Sequence, residues 1–310
     1  MKLLFEDDLV EAAVQLCARG ARPGVPALQV RRFHAERERC YAVLDPDERV
    51  AAFARVHLEW FREWGLAWLL ECCLEPFRGL KPALATLAFR LARGRTDEGA
   101  ELYRNAEGQS QGIIALHPDR LREDDLLRGF LHHELAHLAD MVAPGFGYTP
   151  DLAGAGQTAA QQRLIRERYR LLWNVSVDGR LHQRGLATVC DAAQRQRELE
   201  RGFAFLPAAR RTELLAGLWT GTLATHAELL EIAADPRDFR EVHAPVPGAH
   251  CPLCGFAAFQ WADLRALPSA ALARIRSEFP AWREDEVPCA RCAEIYQSIT
   301  GLEYPATVCL

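Results

Sequence analysis

His133-Glu134-Leu135-Ala136-His137 constrains this chain more than any other segment, because its two histidines stand four residues apart in a stretch that reads as helical. Residues four apart share one face of an α-helix, so both imidazoles can grip one metal ion from the same side. Helix geometry turns Glu134 about 100° away from His133, too far round to be the natural third ligand. It can instead reach a water at the metal and take its proton. Five residues thus supply two zinc ligands and a general base, the core of metal-assisted hydrolysis. Around them, Leu127, Phe130, Leu131, Leu135, Leu138 and Val142 make a broad apolar surface, and Asp124 and Asp125 suit the positive end of a helix that Pro144-Gly145 closes. The plain alternative is a polar helix face with incidental histidines. Burying His and Glu on such a helix would be costly unless they were paired or metal-bound.

Upstream, Glu101-Leu102-Tyr103-Arg104, Asn105-Ala106-Glu107-Gly108 and Gly112-Ile113-Ile114-Ala115-Leu116 read as strand, turn and strand, and His117-Pro118-Asp119 closes the hairpin. A hairpin followed by the motif helix resembles the zincin metallopeptidases over roughly residues 96–185. The resemblance implies an edge strand above the helix that binds a substrate backbone by strand addition.

Two histidines alone would make a weak site, so a third ligand is expected. The metzincin pattern needs Gly and a ligand where this chain has Asp140 and Ala143, which excludes that subclass and its aspartate variant. The next long helix, residues 161–184, carries Asn174, Asp178 and His182 on one stripe, with Glu167 further back. A carboxylate from a second helix is the gluzincin arrangement. Leu172-Trp173-Asn174 followed by Asp178 is also similar to segments of some bacterial metallopeptidase-like domains, a resemblance that implies the aspartate as ligand. The resemblance therefore implies Asp178 as third ligand, with His182 and Glu167 as alternatives and Asn174 orienting a histidine. The chain departs from the thermolysin-like pattern, which has Glu where Asn174 stands.

Neighbouring side chains have ordinary readings beside functional ones. Tyr148 is a candidate oxyanion stabiliser, although most loop tyrosines have no such role. Asp140 is expected either to bond a ligand histidine or to face solvent. Arg180 would stabilise an oxyanion or pair with Asp178. His132 reads as a packed or surface histidine.

A second signal lies near the end of the sequence, in Cys251-Pro252-Leu253-Cys254-Gly255 and Cys289-Ala290-Arg291-Cys292. Each C-x-x-C turn aims two thiolates at one point, and two turns give a closed four-thiolate zinc site. With no secretory signal visible, disulfides are disfavoured. The long gap between the pairs holds a helix, and the second pair runs into another, so the segment resembles a zinc ribbon or treble clef with an insertion. Four thiolates leave no open position, which makes this a structural or docking module.

The formal net charge of −5 argues against a protein that coats nucleic acid. No apolar run is long enough to span a membrane, and ten cysteines without a secretory cue fit a reducing cytoplasm. Asp45-Pro46-Asp47-Glu48 starts a helix expected to run to about Leu74, residues 80–93 read as a second helix, and residues 208–234 as a third long one.

The expected architecture is mainly α (α+β). It has a helical region over 1–94, a zincin-like core with a small antiparallel hairpin or sheet over 95–243, and a four-cysteine module over 244–310. The expected activity is zinc-dependent peptide-bond hydrolysis of the endopeptidase type, with one catalytic and one structural Zn²⁺ and a polypeptide as substrate or partner. Two other readings stand beside it. One is a SprT-like protease acting on DNA-bound proteins, a group that typically uses a third histidine. The other is a non-proteolytic regulator built on a zincin scaffold and binding through its cysteine module.

Overall fold

A computed structural model of the chain describes residues 1–150, 158–223, 225–235, 248–280, 282 and 286–301, in two compact units, Met1–Asp238 and Phe239–Leu310. The segments Asp235-Pro236 and Ala244-Pro245-Val246-Pro247-Gly248, expected from their proline and glycine content to link the cysteine module to what precedes it, lie outside the described residues except for Asp235 and Gly248. The described part is mainly helical, and none of its helices is long and apolar enough to cross a membrane.

In the first unit, β1 (Lys2–Phe5), β2 (Thr86–Leu91), β3 (Gly99–Arg104) and β4 (Ser110–Leu116) form one sheet in the order β1-β2-β4-β3. β1, β2 and β4 run parallel, while β3 returns antiparallel to β4 from Gly99↔Ala115 to Arg104↔Ser110. β4 ends in buried Ile114, Ala115 and Leu116, the apolar run of a strand covered on both faces. Among the described residues β3 has a neighbour on one side only, so its other edge of N–H and C=O groups is free of sheet pairing there. The sheet is therefore mixed and four-stranded, larger than the antiparallel hairpin expected from sequence.

Residues 1–94 are not wholly helical, because they supply β1 and β2. α1 (Asp7–Ala18), α2 (Ala27–Arg39), α3 (Pro46–Glu63) and α4 (Leu66–Cys72) form the crossover between those two strands. Asp45 caps α3 by accepting from the Asp47 and Glu48 N–H groups, both at 2.9 Å. The helix does not run on to Leu74: Gly65, at φ 71°, breaks it before α4. Residues 80–93 do not form one helix either. α5 (Leu80–Ala83) is a single turn, and β2 follows, with Leu87 and Phe89 buried on a period of two. Pairing with β1 and β4 on both sides outweighs the weak helical spacing of that segment.

α6 (Asp124–Val142) carries the H-E-x-x-H motif and lies against β3 and the sheet. A Cβ at Gly112 of β4 would sit 3.0 Å from Leu87 and 3.2 Å from Leu138, so bare backbone there lets α6 settle closely. α7 (Ala159–Gln183) opens on a capping box of Thr158 and Gln161 and packs on α6. α8 (Ala192–Gly202), α9 (Ala208–Trp219) and α10 (His226–Ala234) surround α7. A Cβ at Gly179 would meet the Trp219 carbonyl oxygen at 2.5 Å, so glycine is what allows the end of α9 to touch α7. Residues 208–234 form two helices because Gly221, at φ 74°, ends the first and a Thr225–Glu228 capping box starts the second.

The second unit contains a short antiparallel pair, β5 (Ala249–His250) and β6 (Ala257–Ala258), then α11 (Ser269–Glu278) and α12 (Ala290–Gly301). Leu253, Ala271, Ile275, Trp282 and Tyr296 pack with the buried cysteines into its core.

Candidate metal centre

α6 and α7 run antiparallel past each other, each presenting an i, i+4 pair, so that His133 faces Asp178 and His137 faces Asn174. Nε2 of His133 and Nε2 of His137 lie 3.1 Å apart. Oδ1 of Asn174 closes the triangle at 3.3 Å from the first and 3.0 Å from the second. Ligand atoms at zinc bond lengths of about 2.0 Å in a tetrahedron are separated by about 3.3 Å, so these three atoms fit one face of such a site. His133 and His137 are both buried.

Asp178 is not the third member of the group. Its Oδ1 lies 2.8 Å from Nδ1 of His133, on the far side of the ring from the triangle. Its Oδ2 accepts from Arg195 through Nε at 2.7 Å and Nη2 at 2.6 Å. Both carboxylate oxygens are thus committed behind the histidine, and Asn174, not Asp178, stands beside the two Nε2 atoms. Nor do the alternatives reach the site. His182 is exposed and packs on Trp219 with ring centres 5.6 Å apart, while exposed Glu167 pairs with Arg163 at 3.0 Å.

Ligation needs neutral imidazoles, and His137 meets that condition. Burial drives the His137 pKa well below its ordinary value, and His133 adds to this, so His137 stays neutral into acid. Burial alone would raise the Asp178 pKa, but hydrogen bonding to His133 and the charges of His133 and Arg195 outweigh it and hold the group below the carboxylate range. Asp178 Oδ1 is placed to accept a proton carried on His133 Nδ1, and Nε2 is the ring nitrogen that faces the triangle. Nδ1 of His137 is buried without a hydrogen-bond partner.

Glu134 points the other way, to the sheet. Its carboxylate accepts from the backbone N–H of Ala100, and a Cβ at Gly99 would lie 3.8 Å from Oε2. Burial raises its pKa, offset in part by His133 and that N–H. The general-base candidate and the free edge of β3 therefore meet at one place.

A second layer supports His137. Trp173 stands edge-on to it, with ring centres 4.3 Å apart at 90°, and donates its indole N–H to Asp140 Oδ2 at 2.7 Å. Arg180 grips Asp140 with Nη1 at 2.7 Å and Nη2 at 2.5 Å. Asp140 is thus buried, bonded to neither His133 nor His137 and not facing solvent, and Arg180 pairs with Asp140 rather than Asp178. Tyr148 stacks on the outer side of Trp173 at 5.6 Å, and burial raises its hydroxyl pKa. The same loop is tied down by His226, whose Nδ1 and Nε2 lie 2.7 Å from the Tyr169 hydroxyl and 3.1 Å from Thr149 Oγ1. His132, buried, packs against Phe77. Sequence reasoning missed Trp173 and Arg195 as supporting groups. Adjacency to Asn174 marked the first, but no local signal marked the second.

In the second unit, Sγ of Cys251, Cys254, Cys289 and Cys292 lie within 4.8 Å of one another and could hold a metal ion. Among the described residues this is the one such convergence of three or more His, Cys, Asp or Glu side chains, the α6–α7 triangle being completed by an amide. The Cys289 N–H donates to Cys251 Sγ at 3.3 Å, and the Cys292 N–H to Cys289 Sγ at 3.5 Å. For Cys251, burial is outweighed by backbone N–H groups of Cys289, Cys254 and Leu253, which bring its pKa to about 7. That favours the thiolate a metal requires.

No family model, curated protein or solved structure matches the chain.

Proposed function

We propose that the chain is a zinc-dependent peptide-bond hydrolase whose centre is His133, His137 and Asn174, with Glu134 as general base. The observation that carries this reading is the convergence of two Nε2 atoms and one Oδ1 within 3.3 Å, beside a carboxylate held at a free strand edge. A zinc ion bound there would polarise the peptide carbonyl and acidify the attacking water.

The chain's own residues account for the rest. Glu134 takes a proton from the attacking water and delivers it to the departing amine, so the C–N bond breaks as a C–O bond forms and no net proton is lost. The raised pKa of Glu134 suits that exchange. The free edge of β3 offers backbone N–H and C=O groups to an extended peptide, the cheapest recognition a strand can provide. Asp178 keeps the His133 proton on Nδ1, and burial keeps His137 neutral. Tyr148 is a candidate for meeting the developing oxyanion from the Trp173 side.

The four-cysteine cluster is assigned a second, structural zinc, since four thiolates leave no position for substrate. A SprT-like arrangement is less well supported, because the only histidine on α7, His182, faces Trp219. A scaffold without catalysis is opposed by the intact Glu134. The reading is tested by incubating zinc-loaded protein with a broad peptide library, wild type against Glu134→Gln. Cleavage by wild type and none by the variant supports it; absence of cleavage by both removes it.

A further inference from the structure

Arg195 is 5 % exposed and Asp178 is 0 % exposed, and they form an ion pair more deeply buried than any surface contact of the chain requires. Burying a guanidinium is costly unless its hydrogen bonds are met, and here they are shared between two acceptors. Nε and Nη2 both reach Oδ2 of Asp178, and Nη1 reaches Glu198 at 2.6 Å. Oδ1 of Asp178 is left for one partner, Nδ1 of His133. Three side chains on three helices, α8, α7 and α6, therefore stand in line and end at the nitrogen that faces His137 and Asn174.

We propose that Arg195 is a positioning residue for the metal centre: by occupying Oδ2 of Asp178 it turns Oδ1 onto His133, fixes the proton on His133 Nδ1 and presents an unprotonated Nε2 to the metal. The proposal rests on the reading of His133 as a ligand and adds a residue from a helix that otherwise touches none of the three converging atoms. A carboxylate free of Arg195 could swing its oxygens toward a cation between the helices. With the guanidinium in place the anion is pinned and its charge is offset, which explains why an amide and not this acid completes the triangle. A lysine at the same position would keep the charge but contact one oxygen through a single point and lose the two-pronged grip.

The tautomer of His133 can be read directly, without metal or substrate, from the ¹⁵N shifts of histidine-labelled, metal-free full-length chain, with the His133 signals identified by their loss in His133→Ala. The wild type is expected to show Nδ1 protonated and Nε2 bare. Arg195→Gln should give a mixture of tautomers and weaken zinc binding at this centre by roughly 10–100-fold, the scale found when a ligand histidine loses its outer partner. Arg195→Lys should recover part of both. If Arg195 merely ties α8 to α7, Arg195→Gln will lower the melting temperature while the His133 shifts and zinc affinity stay at wild-type values, and the proposal falls. A wild-type His133 protonated on Nε2 overturns it too, even if Arg195→Gln fails to fold. Loss of peptide hydrolysis with the expected tautomers intact would count against the proposed function alone.

Discussion

The amide oxygen of Asn174 lies 3.0 Å from Nε2 of His137 and 3.3 Å from Nε2 of His133, so an amide and not a carboxylate faces the two imidazoles. Two imidazoles and an amide are a neutral donor set, so a bound divalent ion keeps its full charge for the water and the substrate carbonyl. Such a set also holds the ion less tightly than one containing an anion. Asn174→Ala should therefore lower zinc affinity by more than the roughly 10–100-fold typical of losing an outer partner. Asn174→Glu, which supplies an anionic oxygen on a longer stem, should bind zinc more tightly than wild type. Competition against a chromogenic chelator reads both variants, and equal affinity across all three proteins would remove Asn174 from the ligand set.

Glu134 sits against β3, and its loss should affect chemistry more than structure. Glu134→Gln can still accept from the Ala100 N–H through its amide oxygen, so the local contact survives. We expect the zinc content and melting temperature of wild type, with kcat lower by roughly 10²–10⁴-fold. Steady-state cleavage of a peptide found in the library screen measures this, and a variant of undiminished kcat would deny Glu134 its role.

Trp173 joins His137 to the Asp140–Arg180 pair. Trp173→Phe keeps an aromatic ring edge against His137 but takes one donor from a buried carboxylate, a loss of about 1–3 kcal/mol in stability. Urea unfolding of the two proteins compares them directly. An unchanged midpoint would mean that Arg180 alone satisfies Asp140.

Cysteine substitution in the second unit should act on that unit by itself. A structural zinc of this type contributes about 10–16 kcal/mol in isolated peptides, more than a core of a few apolar residues supplies. Cys289→Ser is expected to release that metal and open residues 248–301 to limited proteolysis, while the first unit stays resistant. Equal resistance of both units would show that the module folds without metal.

Acid should destabilise the first unit before its carboxylates titrate. Burial lowers the pKa of His57 and of His226 below the ordinary value of 6.5. Unfolding restores that value, so the unfolded chain binds protons more readily. The stabilisation is complete above about 6.5 and declines as pH falls through 6.5 toward each folded value. Urea midpoints at about pH 7.5 and about pH 5.5 should differ, with the acid one lower. Identical midpoints would mean that these two histidines are not held neutral by the fold.

The motif helix was legible because its signals are local. Two histidines four apart, an apolar face and acids at the first turn belong to one segment, as do the strands flanking the Asn105–Gly108 turn. β1 was not, since Lys2–Phe5 is too short to show a period and is defined by its pairing with β2, more than eighty residues on. That Asn174 and not Asp178 stands beside the Nε2 atoms has a similar cause. Spacing puts both on one stripe of α7, but which of them reaches Nε2 depends on where α6 and α7 cross. It depends also on Arg195, which arrives from a different helix and draws Asp178 away. The cysteine module could be read directly, because the two C-x-x-C pairs fix their own geometry.

On the proposed reading the chain binds two separate metal ions, one between α6 and α7 and one among the four cysteines. Zinc content per chain, measured on full-length protein after removal of loosely bound metal, tests it most directly. Two ions are expected in wild type, one in His133→Ala/His137→Ala, and one in a variant lacking Cys289 and Cys292. A wild type that holds a single ion, lost with the cysteines and indifferent to the histidines, would mean that α6 and α7 bind no metal.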